Sequence, residues 1–135
     1  MKSKIVFHDL KMEIHVETGI IARYYSELMY IVHDAPYSWL YFTGRNRYRV
    51  CVSLQKMMSN LPEALFMKCR RSVIINVCYY KEYDLAKSMV VMEDGREFFL
   101  TEFNVLEFNA KRGNMRFFSP CEKCEARMNF CRMSK

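Results

Sequence analysis

Apolar residues in this chain come in short runs, and that shortness is the tightest constraint on its fold. Lys4 to Phe7, Met12 to Val16, Ile20 to Tyr24 and Leu28 to Val32 are each one strand long. None extends into the longer stripe of an amphipathic helix. Turn formers follow at Asp34-Ala35-Pro36, and two further runs, Trp39 to Thr43 and Tyr48 to Val52, are joined across Gly44-Arg45-Asn46-Arg47 as a hairpin. The two-residue period of a strand puts Arg45, Arg47 and Arg49 on one face of that hairpin and Tyr48, Val50 and Val52 on the other. One face is core and the other is basic.

One segment keeps a helical period. Ser53 is a good N-cap, Leu54, Met57, Met58 and Leu61 recur at helical spacing, and Asn60-Leu61-Pro62 stops the pattern. The spacing predicts a short helix near 53–61 whose methionine stripe faces the core. Val73 to Val77 reads as a strand, and Met89 to Met92 pairs with Glu97 to Leu100 through Asp94-Gly95, a dipeptide favoured by type I′ turns. Thr101 to Ala110 reads as a strand or a short helix. Beyond Lys111-Arg112-Gly113 the composition turns basic and irregular, so the expected division is a folded domain over 1–112 and a basic, cysteine-containing extension over 113–135.

At 135 residues the chain has room for one domain, and 51% hydrophobic residues with only 4 Gly and 3 Pro exclude disordered and collagen-like classes. No run is apolar enough to span a membrane and the N-terminus lacks a signal-peptide core, so the expected location is cytoplasmic, with no membrane partner.

The net charge of +6 is uneven. Residues 1–109 hold 14 Lys and Arg against 13 Asp and Glu, whereas 110–135 hold 7 against 2. Within the body, Arg45, Arg47, Arg49, Lys56, Lys68, Arg70 and Arg71 face only Glu63 across positions 45–71, while positions 82–107 are acidic. Such asymmetry fits a polyanionic partner. Cys51, Cys69 and Cys78 lie in or beside apolar runs, as small buried hydrophobes do. Cys121, Cys124 and Cys131 supply three ligands where a closed zinc site needs four, so the expected tail is metal-free.

Catalysis finds no support. His8, His15 and His33 are scattered, no nucleophile-base signature is present, and no glycine-rich loop could cradle phosphate. The expectation is a non-enzyme with no cofactor and no small-molecule substrate. One segment asks for more than structure. Phe66-Met67-Lys68-Cys69-Arg70-Arg71-Ser72 gathers three cations at the entrance of an apolar strand, where guanidinium groups can reach phosphates or the O6 and N7 of guanine.

Leu54 through Leu61-Pro62, Phe66, Lys68, Arg71-Ser72, Ile75-Asn76 and then Asp94-Gly95 together resemble the LytTR domain, the DNA-binding output module of bacterial LytR/AlgR-type response regulators. Glu27 to Ile31 resembles an upstream strand of that family, and Tyr37 its aromatic opening of the next; the likeness spans roughly Ile5 to Phe108. The resemblance implies a mainly β fold of about ten short strands in small sheets with one short helix. It implies a transcriptional regulator that binds double-stranded DNA sequence-specifically, with loops in successive major grooves of a direct-repeat site and a second copy on the adjacent repeat.

Carried over by position, the contact loops fall at Tyr37, at Arg70 and Arg71, and at Phe103 and Asn104, with Lys68 and Ser72 on phosphates. Arg70 stands where the family has His, and Thr101-Glu102-Phe103 where it shows Ser-Arg. With no room for a receiver domain, the chain reads as a stand-alone output protein. Two other readings compete: a protein-interaction module of the same fold that has lost tight DNA binding, and RNA binding through Lys111, Arg112, Arg116, Phe117, Phe118 and Arg127.

Overall fold

A computed structural model describes residues 4–114. The chain is mainly β, and eleven short strands form three antiparallel sheets. β1 (Lys4–Phe7), β2 (Lys11–Val16) and β3 (Gly19–Tyr24) make the first, in sequence order. The second and central sheet has five strands. β4 (Leu28–Asp34) and β5 (Tyr37–Phe42) form a hairpin, β6 (Arg47–Val50) joins the outer edge of β5, and β7 (Phe66–Cys69) and β8 (Val73–Asn76) complete the order β6-β5-β4-β8-β7. β9 (Tyr80–Asp84), β10 (Met89–Met92) and β11 (Glu97–Phe99) make the third, with β10 in the middle.

Alternation along the central sheet sorts its side chains onto two cores. Leu28, Ile31, Leu40, Phe42, Val50, Phe66 and Ile74 bury one face against Ile5, Met12 and Ile14 of the first sheet. Met67, Cys69, Val73 and Ile75 bury the other against Val90, Met92 and Phe98 of the third. A register shift between Leu28 and Tyr30 moves Tyr30 to that second face, where its ring stacks on Tyr41 at 4.6 Å.

Helix α1 (Leu54–Asn60) carries the chain from one edge of the central sheet to the other. The Ser53 side chain accepts the Lys56 N–H at its start, and Leu54, Met57 and Leu61 are buried in the first core, as their spacing predicts.

Four local expectations are resolved or corrected. The segment after Thr101, read as a strand or a short helix, is helical: α2 (Glu102–Asn114) joins the one short helix expected near 53–61 and runs past residue 112. Arg45 and Val52 lie outside β6, and Arg45 takes a positive φ of 65° in the turn before it, which leaves Arg47 and Arg49 as the cations on that strand. Phe66–Cys69 and Tyr80–Asp84 are strands that the apolar pattern did not show. The Asp94-Gly95 turn is not type I′. Only Gly95 has a positive φ, 94°, and Met92 pairs with Arg96 around a three-residue loop, the geometry of a type I turn closed by a left-handed glycine. The tail residues Cys121, Cys124, Cys131, Arg116, Phe117, Phe118 and Arg127 lie outside the described residues.

Candidate nucleic-acid interface

All three expected contact segments emerge at one end of the central sheet. Tyr37 opens β5, Arg70, Arg71 and Ser72 connect β7 to β8, and Phe103 and Asn104 lie in the first turn of α2. The backbone N–H of His33, at the far end of β4, donates to the Ser72 carbonyl at 2.7 Å, and the His33 ring meets Ser38 Oγ at 3.0 Å. Ser38 follows Tyr37, so two of the three segments are tied through His33.

Asn104 ties in the third. Its Oδ1 accepts the N–H of Arg70 at 3.2 Å, and its Nδ2 donates to the Lys68 carbonyl at 3.1 Å. The same Oδ1 accepts the Thr101 N–H while Thr101 Oγ1 accepts the Asn104 N–H, both at 3.2 Å. This is a capping box with Asn in the place of Glu or Gln. Glu102 then falls in the first helical turn, where the helix dipole favours a carboxylate.

The two arginines of the turn are held differently. Arg70 has φ 59°; its Nε donates to the Phe99 carbonyl at 3.1 Å and its guanidinium lies 5.5 Å from the Phe99 ring. Arg71 is exposed and makes no hydrogen bond or ion pair among the described residues. Lys68 is also exposed, Tyr37 is 38% exposed and Phe103 is 85% exposed. Asn76 points elsewhere. It is fully buried, donates to the Leu28 carbonyl at 2.9 Å and accepts the Cys78 N–H at 2.9 Å, a strand-end role without access to a ligand.

Sequence reasoning did not connect Arg47 and Arg49 to this end of the sheet. Arg49 lies 4.4 Å from the Tyr37 ring centroid and 5.7 Å from that of Trp39, and Arg47 lies 5.1 Å from Trp39. The alternation put both on the basic face; only the cross-strand register shows which aromatics they cover.

Among the described residues no group of three or more His, Cys, Asp or Glu side chains could hold a metal ion. His8 and His15 flank the Glu13 carboxylate at 3.6 and 3.4 Å on the first sheet. Burial pushes the Cys69 thiol up to about 12, against a smaller opposing pull from Arg70, so it is not a nucleophile at neutral pH. No helix among the described residues is long and apolar enough to cross a membrane.

Strands carry three loops to one end of the central sheet and set exposed cations and aromatics there, an arrangement suited to binding an anionic partner. The family model of the LytTr DNA-binding domain matches residues 19–113, and the chain belongs to that family. Among solved structures it is similar to the LytTr DNA-binding domain of a protein described as a methyl-accepting/DNA response regulator from Bacillus cereus. That match has a TM-score of 0.65 and 21% identity, and covers 78% of this chain and 99% of the other. Comparison with curated proteins gave no match. Membership makes the protein a DNA-binding module of regulator type and fits a non-enzyme.

Proposed function

We propose that the protein is a cytoplasmic transcriptional regulator that reads duplex DNA with the loops at Tyr37, at Arg70 and Arg71, and at Phe103, inserted in successive major grooves of a direct-repeat site. The convergence of these loops at one end of the central sheet carries the reading. Arg71, exposed and uncommitted within the fold, is the base reader, since a guanidinium can meet guanine O6 and N7 with two parallel bonds. Lys68 and the Ser72 hydroxyl serve phosphates. Phe103 offers an exposed ring to thymine methyl groups. Asn104 acts on DNA through the loops it ties together. A second copy occupies the adjacent repeat, and no cofactor or small molecule takes part.

Binding of the full chain to duplex, single-stranded DNA and RNA at matched salt tests this reading. With about five phosphates neutralised, log K on duplex should fall against log salt with a slope near −4 to −5. Selection from a random duplex library should yield a repeated motif. A slope near zero on every duplex, or preference for RNA, overturns it.

A further inference from the structure

β5 presents Tyr37, Trp39 and Tyr41 in alternation on one face, and β6 presents Arg47 and Arg49 on the same face. The register places Arg49 opposite Trp39 and Arg47 opposite Tyr41. The guanidinium groups do not sit over those partners alone. Arg49 lies nearer Tyr37 than Trp39, and Arg47 covers Trp39, so each leans one rung toward the Tyr37 end. Diagonal neighbours across an antiparallel pair are within reach of such long side chains, and stacking on a ring face orients a guanidinium while leaving its N–H edges outward.

Among the described residues no carboxylate forms an ion pair with either arginine. The ion pairs among the described residues use His8, His15 and Lys111, and Asp34, opposite Tyr37 in register, forms none with either arginine. The third sheet meets this face at Tyr41, where Arg96 lies 5.8 Å from the ring. Arg47 and Arg49 are exposed, and the Arg49 guanidinium adjoins the exposed Tyr37 ring.

We infer that Arg47 and Arg49, stacked on Tyr37 and Trp39, form a sequence-independent contact for the sugar-phosphate backbone of duplex DNA beside the base-reading loops. The inference rests on the proposed DNA-binding function and assigns it a second surface. Phosphate is the fitting ligand because two oriented guanidiniums offer paired donors to tetrahedral oxygens, and backbone contacts fix a protein's register without reading sequence.

The test uses the full chain and a labelled mixed-sequence duplex, titrated over a salt series. The double substitution R47Q/R49Q should flatten the log–log salt slope by about 1.8 and weaken binding roughly tenfold per arginine at about 0.1 M salt. The motif selected from a random library should be unchanged. R47K/R49K should restore the slope, since it restores the charges, and thermal melts should show all variants folded. An unchanged slope and affinity in the glutamine variant overturns the inference while leaving the DNA-binding function standing. So does a changed motif, a lysine variant that loses as much slope as the glutamine one, or a loss confined to single strands. If the parent chain binds no duplex, both readings fall.

Discussion

Asn104 accepts the backbone N–H of Arg70 across 34 positions of sequence, and in doing so fastens the start of α2 to the turn that carries the arginines. The bond is short-range in space because β7 ends where α2 begins. Its four hydrogen bonds to Thr101, Arg70 and Lys68 make Asn104 a positioning residue. Replacing it by Ala removes the reciprocal half of the cap and both links to the turn. We expect N104A to lower stability by about 1 to 2 kcal/mol in urea unfolding. On DNA it should reduce the ratio of specific to non-specific affinity, because a loosened turn still attracts phosphate. Equal weakening on all duplexes would instead mark Asn104 as a phosphate contact.

Arg70 has a left-handed backbone, and a side chain there is strained whether or not it contacts DNA. Glycine relieves that strain and alanine does not. R70G should therefore be more stable than R70A by about 1 kcal/mol, while both lose the guanidinium and bind DNA equally poorly. Melting temperatures and equilibrium binding on the same preparations separate the two effects. If R70G retained affinity, the side chain would be serving only its contacts to Phe99.

Arg71 carries no such strain or tether in the described structure. R71A should leave the melting temperature nearly unchanged and cost about 1 to 3 kcal/mol on the selected site, flattening base preference at one position. Uniform loss across sequences would reassign it to a phosphate.

How far the sequence disclosed this arrangement depended on how strongly each segment favoured one period. Leu54, Met57 and Leu61 with Ser53 before them and Pro62 after them satisfy only a helix, and Met89–Met92 only a strand. In α2 the apolar residues Phe103, Val105, Leu106 and Phe108 serve either period, and only packing decides: Phe108 is buried against Tyr80 and Tyr83 while Phe103 and Leu106 face outward. β9 was hidden because Lys81 and Glu82 break its apolar pattern at an edge strand, where solvent accepts them. Asp94-Gly95 marked the turn but not its type, since both candidate geometries place glycine at positive φ. Of the contact residues that the resemblance implied, Tyr37, Arg70, Arg71 and Asn104 come together at one end of the central sheet. Two facts needed three dimensions: Asn104 faces inward to the backbone, and Arg49 reaches the Tyr37 ring.

Asn76 supplies a contrasting case, a motif residue whose role is buried. N76L should remove the hydrogen bonds that Asn76 makes to the Leu28 carbonyl and the Cys78 N–H, costing about 1 to 3 kcal/mol for each. Because the residue is fully buried and has no path to DNA, any affinity loss should follow the unfolded fraction and vanish under conditions where the variant is fully folded. Residual loss of affinity in folded N76L would show that the β8 terminus transmits shape to the contact turn.

Alkaline pH offers a test of the second core. Cys69 packs in the cluster with Met67, Val73 and Phe108, and burial raises its thiol from the ordinary 9.0 to about 12. Between these values the folded chain keeps a proton that the unfolded chain releases, so stability is intact below pH 9 and falls as pH rises toward 12. By about pH 10 this one group should remove roughly 1.4 kcal/mol. Burial also raises the phenols of Tyr25 and Tyr30, with the Asp94 carboxylate beside Tyr30 adding to its shift, and they extend the loss from pH 10 upward. Urea unfolding of C69A should start from a lower stability, because a buried sulfur is gone, yet decline less between pH 8.5 and 10 than the parent. Parallel declines in the two chains would show that Cys69 is already open to solvent in the folded state, and a native-state alkylation experiment would then label it as readily as Cys51 and Cys78, which are exposed and not buried as their apolar surroundings in the sequence suggested.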